Sequence, residues 1–502
     1  MKPGNTEVHL RITRATAALA IFLLIAFLSP LRGPAMADGP RDNVPSQVRP
    51  IPPLGNDLEP AERQSLQLGV DQLGKEIDSL RQALAGKPAL LRYLPDVQIF
   101  HNAVRYPLVH HETIEVGMAR RALAHGMQRA AELRAGRTPW VNVTGPRGYV
   151  SRIDGSVQPY VLSIPAGYTP GEKSAHPWRL DVWGHGRDEM LTELRFVEMD
   201  DLLHQYKYLN EPTDPKDRFI LNLYGRYINA YRFAGETDGL EVLDEVGRQY
   251  PIDPNRRLII GFSLGGTAAW QFAVHYPDLW AAAAPAAGFA EARQFLKTFQ
   301  NEDVSGAPWY QQALWHLYDS TDYAANLFNV PAVAYGGELD PQRQASEMML
   351  EATRAEGVHI ERIVGRGIGH HYTPEAKTQL DGRLDEILAR GRNPVPDKIR
   401  FTTWTLRYNK LAWLTVDALE HHWQRARVEG EILRSESNTV KGFSLRTTNV
   451  TALTLSLPSG TTSPPIPAGN GIAVIIDGQA VVGQAANREG AYVGRFVRGP
   501  KG

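Results

Sequence analysis

The residues of this chain best placed to do chemistry together are a serine between glycines, an aspartate behind a Gly-Gly pair and a histidine in a Gly-rich stretch. Ser263 lies in Gly261-Phe262-Ser263-Leu264-Gly265-Gly266, with the strand-like Arg257–Ile260 before it and the helix-like TAAWQFAVHY after it. At a sharp strand-to-helix turn a serine hydroxyl stands clear of the backbone, and the glycines let strand and helix approach closely. The helix start adds free N–H groups and a positive dipole end. A hydroxyl is a weak nucleophile at neutral pH, so it needs a base, and the base needs an acid to orient it. In this context the chain order is serine, acid, histidine. The strand VPAVAY runs into Gly336-Gly337-Glu338-Leu339-Asp340, making Asp340 the expected acid and Glu338 the runner-up. ERIVGRGIGHHYTP then supplies His370, the expected general base, and His371, expected to flank it.

An acyl-transfer oxyanion requires two preorganised donors. The N–H of Leu264 is one, and the loop Gly184-His185-Gly186-Arg187-Asp188 offers the N–H of Arg187 as the other. The segment Tyr224–Asp238, which holds Arg226, Tyr227, Asn229, Tyr231, Arg232 and Glu236, is rich in polar and aromatic residues. It reads either as a loop binding a sugar or an aromatic acyl group, or as a structural ion-pair loop. On the first reading Arg226, Tyr227, Asn229 and Tyr231, with His185, contact substrate. The adjacent pairs His110-His111, His370-His371 and His421-His422 point in diverging directions and do not chelate one ion. With no cysteine and no HExxH, neither a metal site nor a cofactor is expected.

These residues must be held by a sheet. Strand-like and helix-like stretches alternate over 145–392, which implies a mostly parallel sheet covered by helices on both faces. Before it, 58–144 shows helical spacing in Leu66, Leu73, Ile77 and Leu80, and again in Ala119, Leu123, Met127, Ala130 and Leu133. These helices either pack on the neighbouring section or form part of a lid. Asp154-Gly155 between two alternating runs predicts a hairpin with a tight primed turn. Asn393-Pro394-Val395-Pro396 reads as a linker to a small β-sandwich over 397–490, followed by a flexible tail, 491–502.

Hydrophobic residues make up 43% of the 502, enough for a large core, and the net charge of −1 offers no basic patch for nucleic acid. Arg11 and Arg14 precede an apolar run from Ala15 to Leu31, with Ala35-Met36-Ala37 as a cleavage site. Residues 1–37 are therefore an expected signal peptide and 38–57 a linker. The run is broken by Ser29-Pro30 and falls short of the ~20 residues a membrane span needs. The expected location is periplasmic or secreted, with no membrane contact after cleavage.

Four stretches carry a family resemblance: HGR at 185–187, PIDPNRRLIIGFSLGG at 251–266, GGELD at 336–340 and GIGHHYTP at 367–374. They resemble the esterase and prolyl-oligopeptidase-like branch of the α/β-hydrolases. PDVQIFHNAVRY at 95–106, RIDGSVQPY at 152–160, YGRYINAYRFAGETD at 224–238 and FTTWTLRYN at 401–409 are similar to exported bacterial hydrolases grouped under the prolyl oligopeptidase name. The resemblance implies an α/β-hydrolase domain and serine hydrolysis through an acyl-enzyme. Prolyl oligopeptidases carry a large β-propeller, for which 58–144 is too short and too helical. The similarity to feruloyl- and acetyl-ester hydrolases therefore implies an ester substrate, with plant polysaccharide esters in view. A serine peptidase or amidase, and an idle carbohydrate-binding protein on the same fold, are the alternatives.

Overall fold

The computed structural model describes residues 52–171, 177–198, 215–299, 301–460, 462, 466–468 and 471–499. The expected signal peptide and all but the last residues of the 38–57 linker lie outside them. Among the described residues no helix is long and apolar enough to cross a membrane.

The helical section holds α1 (Pro60–Ala83), α2 (Pro95–His110) and α3 (Val116–Arg134). α1 buries Leu66, Val70, Leu73, Ile77 and Leu80, one stripe at helical spacing, and α3 buries Ala119, Leu123, Ala130 and Leu133 against it. Met127, expected on the same face, is only partly buried. At Gly126 the helices come so close that a Cβ would lie 2.5 Å from Leu73. The section is packed onto the sheet edge. Buried Asp96 accepts from Gly148 N at 2.7 Å and from Trp140 Nε1 at 2.8 Å.

The central sheet contains β1 (Gly145–Val150), β2 (Val157–Ser163), β3 (Trp178–Gly184), β4 (Arg218–Leu223), β5 (Ile252–Phe262), β6 (Ala282–Ala286), β7 (Val333–Gly337) and β8 (Glu361–Gly365). Their order is β1-β2-β4-β3-β5-β6-β7-β8. β1–β2 and β2–β4 are antiparallel and the remaining pairs parallel. This is the α/β-hydrolase sheet. Alternate residues of each strand face opposite cores: Leu180, Val182 and Ile259 on one side, Trp183, Leu258 and Ile260 on the other. Helices that matter for the site are α4 (Glu193–Glu198), α5 (Ala234–Gln249), α6 (Leu264–His275), α7 (Gln344–Ala355) and α8 (Pro374–Arg390).

The β1–β2 connection departs from the expected tight turn. Ser151 N donates to Ser156 O at 2.8 Å and Gly155 N to Ser151 O at 2.9 Å, so the loop is longer than two residues. Only Gly155 has a positive φ, whereas a primed turn of that type needs two such residues. Asp154 is held outside that geometry by Arg226 Nη1 at 2.6 Å.

Beyond Arg392 the chain forms two further sheets. One contains β9 (Lys398–Thr403), β12 (Ala426–Arg434), β13 (Val440–Thr448), β15 (Gly471–Ile476) and β16 (Gln479–Ala485); the other contains β10 (Lys410–Leu411), β11 (Leu414–Leu419), β14 (Val450–Leu457) and β17 (Tyr492–Val497). The expected flexible tail is corrected here. β17 pairs antiparallel with β14, and Tyr492 is fully buried beside Phe443. The linker reading of 393–396 also changes: Val395 is buried in the sandwich core and Pro396 O accepts from Trp413 Nε1 at 2.7 Å. A second compact unit takes in 293–306; its described part carries a helix in which Gln294 Nε2 donates to Thr298 Oγ1 at 3.0 Å.

Candidate active site

β5 ends at Phe262 and α6 begins at Leu264, leaving Ser263 alone in the turn with φ 58° and ψ −120°. A serine in that conformation costs on the order of 1–3 kcal/mol and persists because its surroundings enforce it. Ser263 N donates to Ala286 O at 2.9 Å. The glycines explain how strand and helix fit. A Cβ on Gly261 would meet Gly265 O at 2.3 Å, one on Gly265 would meet Gly184 O at 1.8 Å, and one on Gly266 would meet Ala286 O at 2.0 Å.

Asp340 follows β7 and is 2% exposed. Its Oδ1 accepts from Gln342 N at 2.9 Å, which fixes the carboxylate, and its Oδ2 faces His370 Nδ1 at 2.8 Å. Gly337 and Gly369 bring the two loops together: a Cβ on Gly337 would lie 2.1 Å from Gly369 O. Leu339 N also donates to Ile368 O at 2.9 Å. Glu338, the runner-up acid, has another role. Its Oε2 accepts from Gly367 N at 2.8 Å and so braces the histidine loop. The His370 ring stands 4.8 Å from that of Phe262, the residue before Ser263. His371 O accepts from Tyr335 Oη at 2.7 Å, which ties the next residue's backbone to β7.

The loop after β3 lies directly against the serine. A Cβ on Gly186 would lie 3.6 Å from Ser263 Cβ. The Leu264 and Arg187 amides donate no hydrogen bond to another described residue. The Arg187 side chain turns to Glu189 at 2.5 Å. His185 is fully buried, its Nδ1 2.9 Å from Gly186 O and its Nε2 3.0 Å from Tyr224 O. It shapes this loop and has no surface for a substrate.

The structure also gives the other expected substrate residues work in the scaffold. Arg226 pairs with Asp154 and Asp238, both at 2.6 Å, and with Ser151. Tyr231, 1% exposed, donates to Leu223 O at 3.1 Å and accepts from His185 N at 2.7 Å. Asn229 Oδ1 accepts from Tyr231 N, and Tyr227 Oη donates to Glu189 O at 2.5 Å. The ion-pair reading of this loop therefore describes Arg226, and the loop is strained: Arg226, Tyr227, Ala230, Tyr231 and Phe233 all have positive φ. Arg232 and Glu236, the other residues the sequence offers in this loop, fare differently: Glu236 is buried against Arg407, whereas the Arg232 side chain lies against the rings of Phe289 and Tyr318. Among the described residues no three His, Cys, Asp or Glu side chains converge as a metal-ligand set.

An α/β-hydrolase sheet with a strained serine between β5 and α6 defines the class. Residues 233–387, which include Ser263, Asp340 and His370, match the model of the prolyl oligopeptidase family. The match covers this section of the chain and not the helical section or the sandwich strands. The chain is 30% identical over 137 residues to dipeptidyl-peptidase 5 of Porphyromonas endodontalis, an overlap of 25% of this chain and 20% of that protein. It thus spans 20% of that relative's length. Similar solved structures include a thermostable esterase, at 18% identity and TM-score 0.33 over 50% of this chain and 63% of that one. A ferulic acid esterase follows at 17% and 0.35, over 50% and 99% of the two chains. An acylaminoacyl peptidase stands at 16% and 0.37, over 50% and 42%.

Proposed function

We propose that this chain is an exported carboxylic-ester hydrolase acting through Ser263, His370 and Asp340. The observation that carries the reading is the His370–Asp340 contact at 2.8 Å beside the strained turn of Ser263. With Nδ1 engaged by Asp340, Nε2 of His370 is the nitrogen that takes the Ser263 proton as the hydroxyl attacks the ester carbonyl. The Leu264 and Arg187 amides receive the developing oxyanion. His370 then protonates the departing alcohol, and water, activated by the same imidazole, releases the acid from the acyl-enzyme. Acyl esters of plant polysaccharides are the substrates in view, and residues 1–37 direct export to the periplasm or beyond.

A peptidase reading draws support from the match to the prolyl oligopeptidase model and from the name of the dipeptidyl-peptidase relative. Matched ester and amide substrates with one acyl group decide between them. The ester reading expects kcat/KM at least ~10³-fold higher for the ester than for the amide of the same acid, a far larger gap than one pocket contact produces. Comparable values on the two would establish the peptidase.

A further inference from the structure

Arg232 lies one residue before the exposed Phe233, in the strained loop that leads from β4 into α5. Its guanidinium carbon stands 5.4 Å from the ring centroid of Phe289 and 5.1 Å from that of Tyr318. Clamped by two rings, it is held in place without a salt bridge. Among the described residues its Nε, sealed from solvent, has no hydrogen-bond partner and the side chain pairs with no carboxylate. Asp319 attracts it without forming a salt bridge, and its own Oδ1 accepts from Ala292 N at 2.8 Å.

A partly buried arginine without a counter-ion is costly, since neither water nor a carboxylate replaces its lost hydration in full. Burial also pulls its pKa below the usual arginine value, the direction expected of a desolvated cation lacking a close partner. Elsewhere the scaffold supplies what it withholds here. Arg226, six residues earlier, has two carboxylates at 2.6 Å. The position is also close to the chemistry. Gly288, next to Phe289, is packed so tightly that a Cβ there would lie 2.9 Å from Ser263 O, and Phe289 N donates to Thr267 Oγ1 in the first turn of α6.

From the unpartnered, ring-clamped guanidinium beside the nucleophile turn and the exposed phenyl ring next to it, we infer that Arg232 is a binding site for a carboxylate carried by the substrate. The planar guanidinium offers a two-point grip on a carboxylate, and Phe233 offers its ring to the apolar chain between that carboxylate and the ester. The inference rests on the ester-hydrolase reading and deepens it: the substrate class becomes an ester with a second, free carboxylate. Asp319, Glu291 and Asp322 are the acidic groups on this side. Burial pushes Asp319 up to about 7, so its negative charge is only partly formed at neutral pH, and its Oδ1 is already taken by Ala292 N.

The test compares mono-4-nitrophenyl succinate with its neutral methyl ester on the full chain and on R232Q and R232K. The wild type is expected to favour the anionic ester by ~10-fold or more in kcat/KM, and R232Q to lose that preference by ~10–100-fold, mainly through KM. R232K, which keeps the charge but not the planar fork, is expected to fall between them. A wild type that prefers the neutral ester overturns the inference without any variant, as does an unchanged preference in a folded R232Q. If the wild type cleaves neither ester, the ester-hydrolase reading itself fails; if it cleaves the neutral ester through Ser263 and ignores Arg232, only the carboxylate site fails.

Discussion

Arg232 and Glu236 stand four residues apart at the start of α5 and share the neighbour Tyr318, yet their surroundings are opposite. Glu236 is fully buried and saturated. Its Oε2 accepts from Arg407 Nη2 at 2.7 Å, Arg407 Nε at 3.1 Å, Tyr408 Oη at 3.1 Å and Tyr318 Oη at 3.3 Å, and its Oε1 accepts from Tyr276 Oη at 3.1 Å. Burial would raise its pKa, but His275 at 3.7 Å and Arg407 outweigh it and hold the carboxyl below the usual range. The Arg232 side chain has two aromatic rings and, among the described residues, no carboxylate partner. A charge that the fold satisfies is scaffold. One that the fold confines and leaves unsatisfied is a candidate for binding.

The scaffold half of this contrast joins the C-terminal strands to the catalytic section. Arg407 and Tyr408 follow β9, and Tyr408 stacks on buried His275 with ring centroids 3.7 Å apart. Nearby, His316 stacks on Trp404 at 3.8 Å, and Asn326 Nδ2 donates to Thr402 O at 3.0 Å. The sandwich is thus built into the hydrolase rather than tethered to it.

The contrast breaks most readily at Glu236. E236A strips the carboxylate from Arg407 and three tyrosines and is expected to cost about 3–5 kcal/mol, lowering the midpoint of thermal unfolding by several degrees or more. The loss should show in urea or thermal unfolding of the full chain, and a change below about 1 kcal/mol would mean the network is not structural. A smaller effect separates Glu236 from its neighbour Asp319. The folded pKa of Asp319 is raised to about 7 from an ordinary 3.8, so the native state binds the proton more tightly than the unfolded chain. Its contribution to stability is therefore present at low pH and is lost as pH rises from about 4 to 7. D319N, which keeps an oxygen for Ala292 N, should be neutral near pH 3.5 and gain about 2–4 kcal/mol over the parent at pH 8. An equal effect at both pH values would contradict the raised pKa. For the depressed Glu236 the sign is reversed: its stabilisation is full above the ordinary carboxylate pKa and declines on acidification.

The elements of the candidate site were legible because each is local. The glycines around Ser263 and the strand–turn–helix period lie within one short stretch, as do the acid behind β7 and the histidine loop behind β8. The helical stripes of α1 and α3 were legible for the same reason. What sequence did not disclose depends on distant partners. Arg407 lies 171 positions from Glu236, so nothing in Tyr224–Asp238 reveals which of its charges will be neutralised. The hairpin loop differs from a primed turn because Asp154 is claimed by Arg226, 72 positions away. β17 was hidden by its glycine and charge, though Tyr492, Gly494 and Phe496 fall on its inner face and Val493, Arg495 and Val497 on the outer one. Glu338 could be set aside as the acid only once Gly367 N was seen to claim its carboxylate.

In the proposed mechanism Ser263 is a nucleophile activated by His370. A fluorophosphonate probe reacting with the full chain tests it most directly, with S263A, H370A and H371A alongside. The account predicts labelling of the wild type at Ser263, none in S263A, a loss of at least ~10³-fold in labelling rate for H370A, and less than about tenfold for H371A. Wild-type-rate labelling of a folded S263A, or a folded H370A that labels as fast as the wild type, would contradict it.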